Sequence, residues 1–380
     1  MGDLVVRRAA RVFGYDADGP LAVVIRDGRI SRVVADGELS SVDAPELDAT
    51  GRAVIPGFVD AHTHVVFAGD RKDEFAARLA GTPYEAGGIM RTVDATRAAS
   101  FDALVDATVG RAHAALASGT TTMEVKSGYG LDIPTERRLL EVIKEAGSRT
   151  PAELVPTFLG AHLALDASYV GFVIEEMLPA CAPLAVHCDA FCDEGALTVD
   201  EARRVLASGR AYGLELRIHA EELAHTGGAR LAAELRCLSA DHLVHATEAD
   251  AAQLAEAGVV AVLLPATSFC LRSAYAPARM LRDAGVMLAL ATDCNPGTSY
   301  TSSMPFVIAV ACSEYGLSVD EAITAATWGG ARALGRNDIG RLRPGAAADL
   351  VVLGSDHWID LAYQPGMPHI GVVVKGGVVV

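Results

Sequence analysis

The sequence predicts an α/β protein: a (β/α)8 TIM-like barrel with a small β-sandwich domain formed by the N- and C-terminal segments. Three observations predict it. Eight apolar, strand-like runs alternate with helical stretches over about 280 residues, the signature of βα units and a parallel sheet. Both chain ends read as β structure, yet neither has enough strands to bury a sheet face alone. Reactive side chains recur just after most of the eight runs, where a barrel gathers its strand ends into one mouth. The same alternation admits an open doubly wound sheet as the second fold.

Residues 1–55 and 340–380 are expected to join into one composite β domain, with the barrel, 56–339, inserted between them. In the first segment Leu21–Ile25 and Ile30–Val34 flank an Asp27-Gly28 turn, a hairpin signal. In the last, Asp349–Leu353 reads as a strand, and Val372–Val374 and Val378–Val380 as a hairpin around Lys375-Gly376-Gly377. The eight barrel runs are Val54–Val59, Thr121–Val125, Leu154–Phe158, Leu184–His187, Leu214–Ile218, Ala240–Val244, Val259–Leu264 and Met287–Ala291. Helical stretches between them include Glu136–Ala146, Val199–Ala207 and Ala249–Ala257, the last with a start signal at Thr247.

Composition narrows the function classes. The chain has 380 residues, 51% of them hydrophobic, enough for a large core. Its net charge of −16 argues against nucleic acid, which needs a basic face. It also means that an anionic substrate needs a local cationic anchor. No apolar run is long enough to span a bilayer, and no secretory signal opens the chain. Seven cysteines without repeated spacing suit a reducing, cytoplasmic setting.

The chemistry begins at Pro56-Gly57-Phe58-Val59-Asp60-Ala61-His62-Thr63-His64. Residues i and i+2 of an extended chain share a face, so His62 and His64 point the same way and are placed to grip one ion. A bare His-x-His is otherwise two unrelated surface histidines. His219 after the fifth run and Asp293 after the eighth complete a set of three imidazoles and a carboxylate. That set suits one divalent or trivalent ion per chain, zinc or iron, which makes water nucleophilic near neutral pH. Glu222, three residues past His219, and His242 on the sixth run are the candidate proton carriers. Their ordinary alternatives are a surface salt bridge and a satisfied core histidine. Arg71, in the loop after the first run, is either solvated or a fork onto a carboxylate. Lys126 is read as a structural or ion-paired lysine rather than a modified bridge between two metals. His187, Cys188 and Cys192 are read as buried small residues rather than a second metal site.

With these residues in hand, the chain resembles the amidohydrolase superfamily and, within it, the imidazolonepropionase family of histidine degradation. The opening motif is generic to the superfamily. More specific are Val66–Arg71, Thr121–Gly130 with its Lys-Ser-Gly-Tyr-Gly, and Phe158-Leu159-Gly160-Ala161-His162, followed by His219–Glu222, Ala240–Leu243, Leu264–Phe269 and Ala291–Gly297. The resemblance implies one metal held by His62, His64, His219 and Asp293. It implies substrate contacts from Arg71, Tyr84, Tyr129 and His162, with Asn295, Gly297 and Thr298 on the substrate side. It assigns proton handling and ring recognition to Glu222 and His242. The substrate implied is 4-imidazolone-5-propanoate, opened to N-formimidoyl-glutamate with a positioned imidazolium helping to stabilise the oxyanion. No nucleic acid or membrane partner is implied, and a homodimer is allowed for. The chain departs from the family pattern at Ala61 for proline, Ala68 and Ala86 for glycine, Thr298 for serine, and a short loop from His162 to Tyr169.

Two rival functions share the scaffold. A purine or pyrimidine deaminase would use the same metal and Glu–His pair, but its substrates lack the carboxylate that Arg71 and Tyr84 are expected to meet. A catalytically silent metal-binding homologue would have no reason to keep both ligands and proton carriers.

Overall fold

The computed structural model describes residues 2–39, 43–81 and 88–380. Eight strands form one parallel sheet: Phe58–Asp60, Thr120–Lys126, Glu153–Ala161, His187–Cys192, Glu215–Ala220, Ser239–His242, Val260–Leu263 and Leu288–Leu290. They lie in strict chain order, each hydrogen-bonded to the next. The seam between the eighth and the first closes just beyond their ends. There Asp293 N donates to His62 O at 3.0 Å and His64 N to Cys294 O at 3.0 Å. Below it, Asp60 accepts from Thr292 N and Oγ1 at 3.0 and 2.6 Å. The barrel is thus stitched shut by the residues that sequence singles out as metal ligands.

Two further sheets stand beside the barrel. One has four strands, all from residues before 49; the other has five and interleaves Arg11–Val12 and Ala53–Pro56 with Leu350–Leu353, Ile370–Lys375 and Val378–Val379. Val6, Val23, Ile25 and Ile30 from the first share one buried cluster with Val54, Leu350, Val352 and Val374 from the second. That is the face-to-face packing of a sandwich. The hairpin Leu21–Arg26/Arg29–Ala35 turns at Asp27 and Gly28, both at positive φ (49° and 71°), as a two-residue primed turn requires.

Two strand expectations need correction. The run Val54–Val59 is two strands. Ala53–Pro56 pairs with Leu350–Leu353 in the sandwich, and Phe58–Asp60 opens the barrel. The break falls at Gly57, where a Cβ would collide with the Thr121 side chain. Pro and Gly together end one ladder and let the chain change sheets. The fourth strand is His187–Cys192, not Leu184–His187, since Leu184 lies in a 3-10 turn. That strand carries His187 and Asp189 fully buried, so apolar patterning places it several residues too early.

Helices fill the crossovers. Val199–Ala211 and Glu248–Ala257 begin with capping boxes, Thr198 with Glu201 and Thr247 with Asp250. Among the described residues no helix is long and apolar enough to cross a membrane. The seven cysteines are all free thiols.

Candidate metal centre and active site

The His-x-His segment is held in register by its neighbour strand. Glu124 accepts from Thr63 N at 3.1 Å, and its carbonyl accepts from Thr63 Oγ1 at 2.6 Å. Lys126 N donates to Thr63 O at 3.0 Å. With Thr63 clamped between them, His62 and His64 present their Nε2 atoms 3.3 Å apart. His219 Nε2 lies 3.4 Å from His64 Nε2, and Asp293 Oδ1 lies 3.6 Å from both His62 and His64 Nε2. At the usual zinc–nitrogen distance of about 2.0–2.1 Å, tetrahedral donors sit roughly 3.3–3.4 Å apart. His62, His64 and Asp293 thus lie close enough together to share one ion, and His219 Nε2 stands against His64 at the edge of that set.

The donors are also aimed. His62 Nδ1 meets Asp241 Oδ2 at 2.7 Å, and His219 Nδ1 meets Asp189 Oδ2 at 3.1 Å. A carboxylate only accepts, so each ring carries its proton on Nδ1 and offers a lone pair at Nε2. Thr267 Oγ1 holds Asp293 Oδ2 at 2.7 Å and turns Oδ1 toward the histidines. Burial pushes His62 and His64 well below the usual histidine pKa, so both are neutral, as ligands must be.

Beneath this set lies a charged network of which sequence reading names Lys126 alone. Lys126 Nζ contacts Glu124 at 2.8 Å and Asp189 at 2.7 Å, and Arg217 contacts Asp241 at 3.0 Å, all fully buried. Arg217 also donates to Ala61 O at 2.6 Å, which anchors the residue before His62. Burial alone would lower the Lys126 pKa, but Asp189 and Glu124 outweigh it and raise it. Burial would likewise raise Asp189, but His219 and Lys126 hold it well below the carboxylate range. The network is charged and paired, and Lys126 is an ion-paired structural lysine. His187, Cys188 and Cys192 are buried in the fourth strand, apart from the histidine set. A signal was available: Glu124, Asp189, Arg217 and Asp241 are charges inside strands, a position that buried charges occupy only when paired.

Above the set, one cavity is lined by His64, Arg71, Tyr129, His162, His219, Glu222, His242, Asp293, Asn295 and Thr298, with Ile89, Leu163 and Phe191 as apolar walls. Tyr84 lies outside the described residues. His162 Nδ1 donates to Gly128 O at 3.0 Å, and burial lowers its pKa to about 3. Its Nε2 is therefore a neutral acceptor. The Ser127–Leu131 loop that carries Tyr129 is fastened by Glu136, which accepts from Gly128, Gly130 and Leu131 N–H groups at 2.9, 2.7 and 3.0 Å.

His242 Nε2 lies 3.6 Å from Glu222 Oε2. His242 has φ of 77°, and Glu221 and Asp293 also have positive φ, so backbone strain collects at the mouth. His242 also comes within reach of His62 and His219, but among the described residues no carboxylate hydrogen-bonds its ring, which faces Glu222 instead. Burial, then the charges of Asp293 and Asp193, push Glu222 well above the ordinary carboxylate range. Burial, with His219 and Lys126, drives His242 well below its ordinary value. A cation in the adjacent donor set would act in the same direction, so a standing imidazolium at His242 is not favoured.

Arg71 is buried rather than solvated, and its Nε donates to Glu74 Oε2 at 2.8 Å. Gly297 packs directly under it: a Cβ there would strike the guanidinium. Asn295 is committed to its own loop. Its Nδ2 donates to Asp293 O at 2.6 Å and Thr298 Oγ1 at 2.7 Å, and its Oδ1 accepts from Gly297 and Thr298 N at 2.8 Å each. It positions Asp293 and Thr298 and has no amide hydrogen left over.

The amidohydrolase family profile matches residues 53–379. An imidazolonepropionase of Mycolicibacterium smegmatis is 50% identical over 94% of this chain and 90% of that protein. One from Salinispora arenicola is 49% identical over 100% and 97%, and one from Halobacterium salinarum is 47% identical over 96% and 92%. Among solved structures, a 5-methylcytosine deaminase of Klebsiella pneumoniae aligns with TM-score 0.80 over 99% of this chain and 97% of its own, at 17% identity. An adenosine deaminase of Xanthomonas campestris with bound zinc aligns with TM-score 0.75 over 100% and 92%, at 23% identity. At such identities these structures speak for the fold alone.

Proposed function

The chain belongs to the amidohydrolase family, within its imidazolonepropionase branch, and we propose that it hydrolyses the cyclic amide of 4-imidazolone-5-propanoate to N-formimidoyl-L-glutamate. The carrying observation is near-full-length identity of about half to imidazolonepropionases, supported by an arginine-lined cavity directly above the donor set.

His62, His64, His219 and Asp293 would hold one ion, zinc or iron. When bound, such an ion activates water and polarises a carbonyl as a Lewis acid. Glu222 is the proton carrier. It takes a proton from the attacking water and delivers it to the ring nitrogen as the bond from that nitrogen to the carbonyl carbon breaks. A carboxyl whose pKa approaches the working pH both accepts and returns a proton. His242 is neutral, so it serves as an N–H donor to the carbonyl oxygen as negative charge develops. His162 accepts from a ring N–H through Nε2, Tyr129 lines the same wall, and Arg71, seated on Gly297, receives the propanoate. Thr298 and Asn295 shape the floor beside it. Residues 1–55 with 340–380 are proposed as a separate composite unit around the barrel of 56–339.

The test is turnover of imidazolonepropionate beside guanine and cytosine. Ring opening of the first alone supports the reading. Deamination of a nucleobase without ring opening overturns it and leaves only the family chemistry.

A further inference from the structure

At the foot of the barrel, opposite the mouth, three cations gather on one ring. Trp328 lies in the helical stretch 319–333. The guanidinium carbon of Arg341 is 3.1 Å from the ring centroid, and those of Arg332 and Arg343 are 5.7 and 5.8 Å away. In a chain of net charge −16, such charges would be expected to find carboxylates, as Arg336 does with Glu153 and Asp338. Among the described residues these three form no ion pair. Arg332 and Arg343 donate only to the side chain and carbonyl of Asn337. Burial, then the neighbouring cations Arg343 and Arg332, push the Arg341 pKa down.

The cluster opens on a cavity of about 280 Å³ between the barrel foot and the sandwich, walled by Phe13, Pro56, Trp328 and Leu342. Its hydroxyls are spent on backbone carbonyls: Tyr15 on Leu342, Thr324 on Asp320 and Thr327 on Ile323. With these hydroxyls taken, the charged donors facing the space are the guanidiniums of Arg341 and Arg343. The strap carrying Arg341 and Arg343 is pressed onto the helix at Gly340, where φ is 73° and a Cβ would meet Thr327 O at 2.6 Å.

We propose that this cavity binds a small organic anion, a phosphate or carboxylate on a flat apolar body, with Arg341 and Arg343 taking the anionic group and Trp328 and Phe13 the body. Guanidinium forks match both anions bidentately, and the apolar walls favour an organic anion over an inorganic one.

The experiment titrates the full-length protein at low ionic strength with phenyl phosphate, benzoate and inorganic phosphate, by calorimetry and tryptophan fluorescence. Saturable binding of one organic anion per chain is expected, with inorganic phosphate weaker. The stronger of phenyl phosphate and benzoate identifies the anionic group. Replacing both cations (Arg341→Gln with Arg343→Gln) should weaken binding at least about tenfold, with basal hydrolysis unchanged because the mouth is at the other end. Should the double variant misfold, Arg343→Gln alone, at an exposed position, should weaken binding in the same direction. No saturable binding to the wild type, or equal binding to the variant, overturns the proposal and leaves the arginines as packing on Trp328.

Discussion

His62 Nδ1 and Asp241 Oδ2 lie 2.7 Å apart, and the same carboxylate oxygen takes Arg217 at 3.0 Å. One buried oxygen thus aims a proposed ligand and neutralises a buried cation. Asp241→Asn keeps the shape but weakens both duties. Metal retention is expected to fall about 10–100-fold, the usual cost of losing a ligand's orienting partner. Metal analysis after graded chelation checks this, with Asp189→Asn as the parallel case at His219.

The ligand set itself predicts about one ion per chain. His219→Ala and Asp293→Ala should each lose most of the activity and bind metal more weakly. Two tightly held ions per chain, both needed for turnover, would contradict the single site and return Lys126 to consideration as a bridge.

Glu222→Gln and His242→Ala should each lower kcat by roughly 10²–10⁴-fold while metal content stays near wild type. Loss of metal in step with activity would make the residue a ligand instead.

The pH profile separates the two roles. Glu222 must start as a carboxylate to take the proton from water. Its pKa is raised, first by burial and then by Asp293 and Asp193. Wild-type kcat/KM should therefore fall as pH drops through a limb lying above the ordinary carboxylate range, and that limb should vanish in Glu222→Gln. A limb unchanged in the variant would assign the titration elsewhere.

Arg71→Ala should lower kcat/KM by about one to two orders of magnitude, since a charge-assisted pair is worth about 1.5–3 kcal/mol. Arg71→Lys should recover only part, because lysine lacks the fork. Gly297→Ala should resemble Arg71→Ala, because its new methyl displaces the guanidinium. Steady-state kinetics on the three variants, with metal content as control, decides it. Unchanged kinetics in Arg71→Ala would remove the carboxylate anchor.

Much of this was legible in the sequence because strand periodicity and strand-end placement are local signals. His62 and His64 share a face because residues i and i+2 always do in extended chain. His219 and Asp293 follow apolar runs that mark their strands. Apolar patterning misplaces the fourth strand because its core is polar: Asp189 is buried against Lys126 and His219, and His187 is buried beside Thr157. Pro56-Gly57 hid a change of sheet inside one apolar run. The family resemblance puts Asn295 on the substrate side, and only three-dimensional pairing reveals that its amide is fully used within its own loop.

The most direct test of the central claim is product analysis of imidazolonepropionate turnover in isotopically labelled water. Attack of water on the ring carbonyl predicts N-formimidoyl-glutamate with one labelled oxygen, in the carboxylate derived from that carbonyl, and far less of the same labelled product when Glu222→Gln replaces the wild type at equal time. Unlabelled product, or ammonia release with the ring intact, would contradict the account.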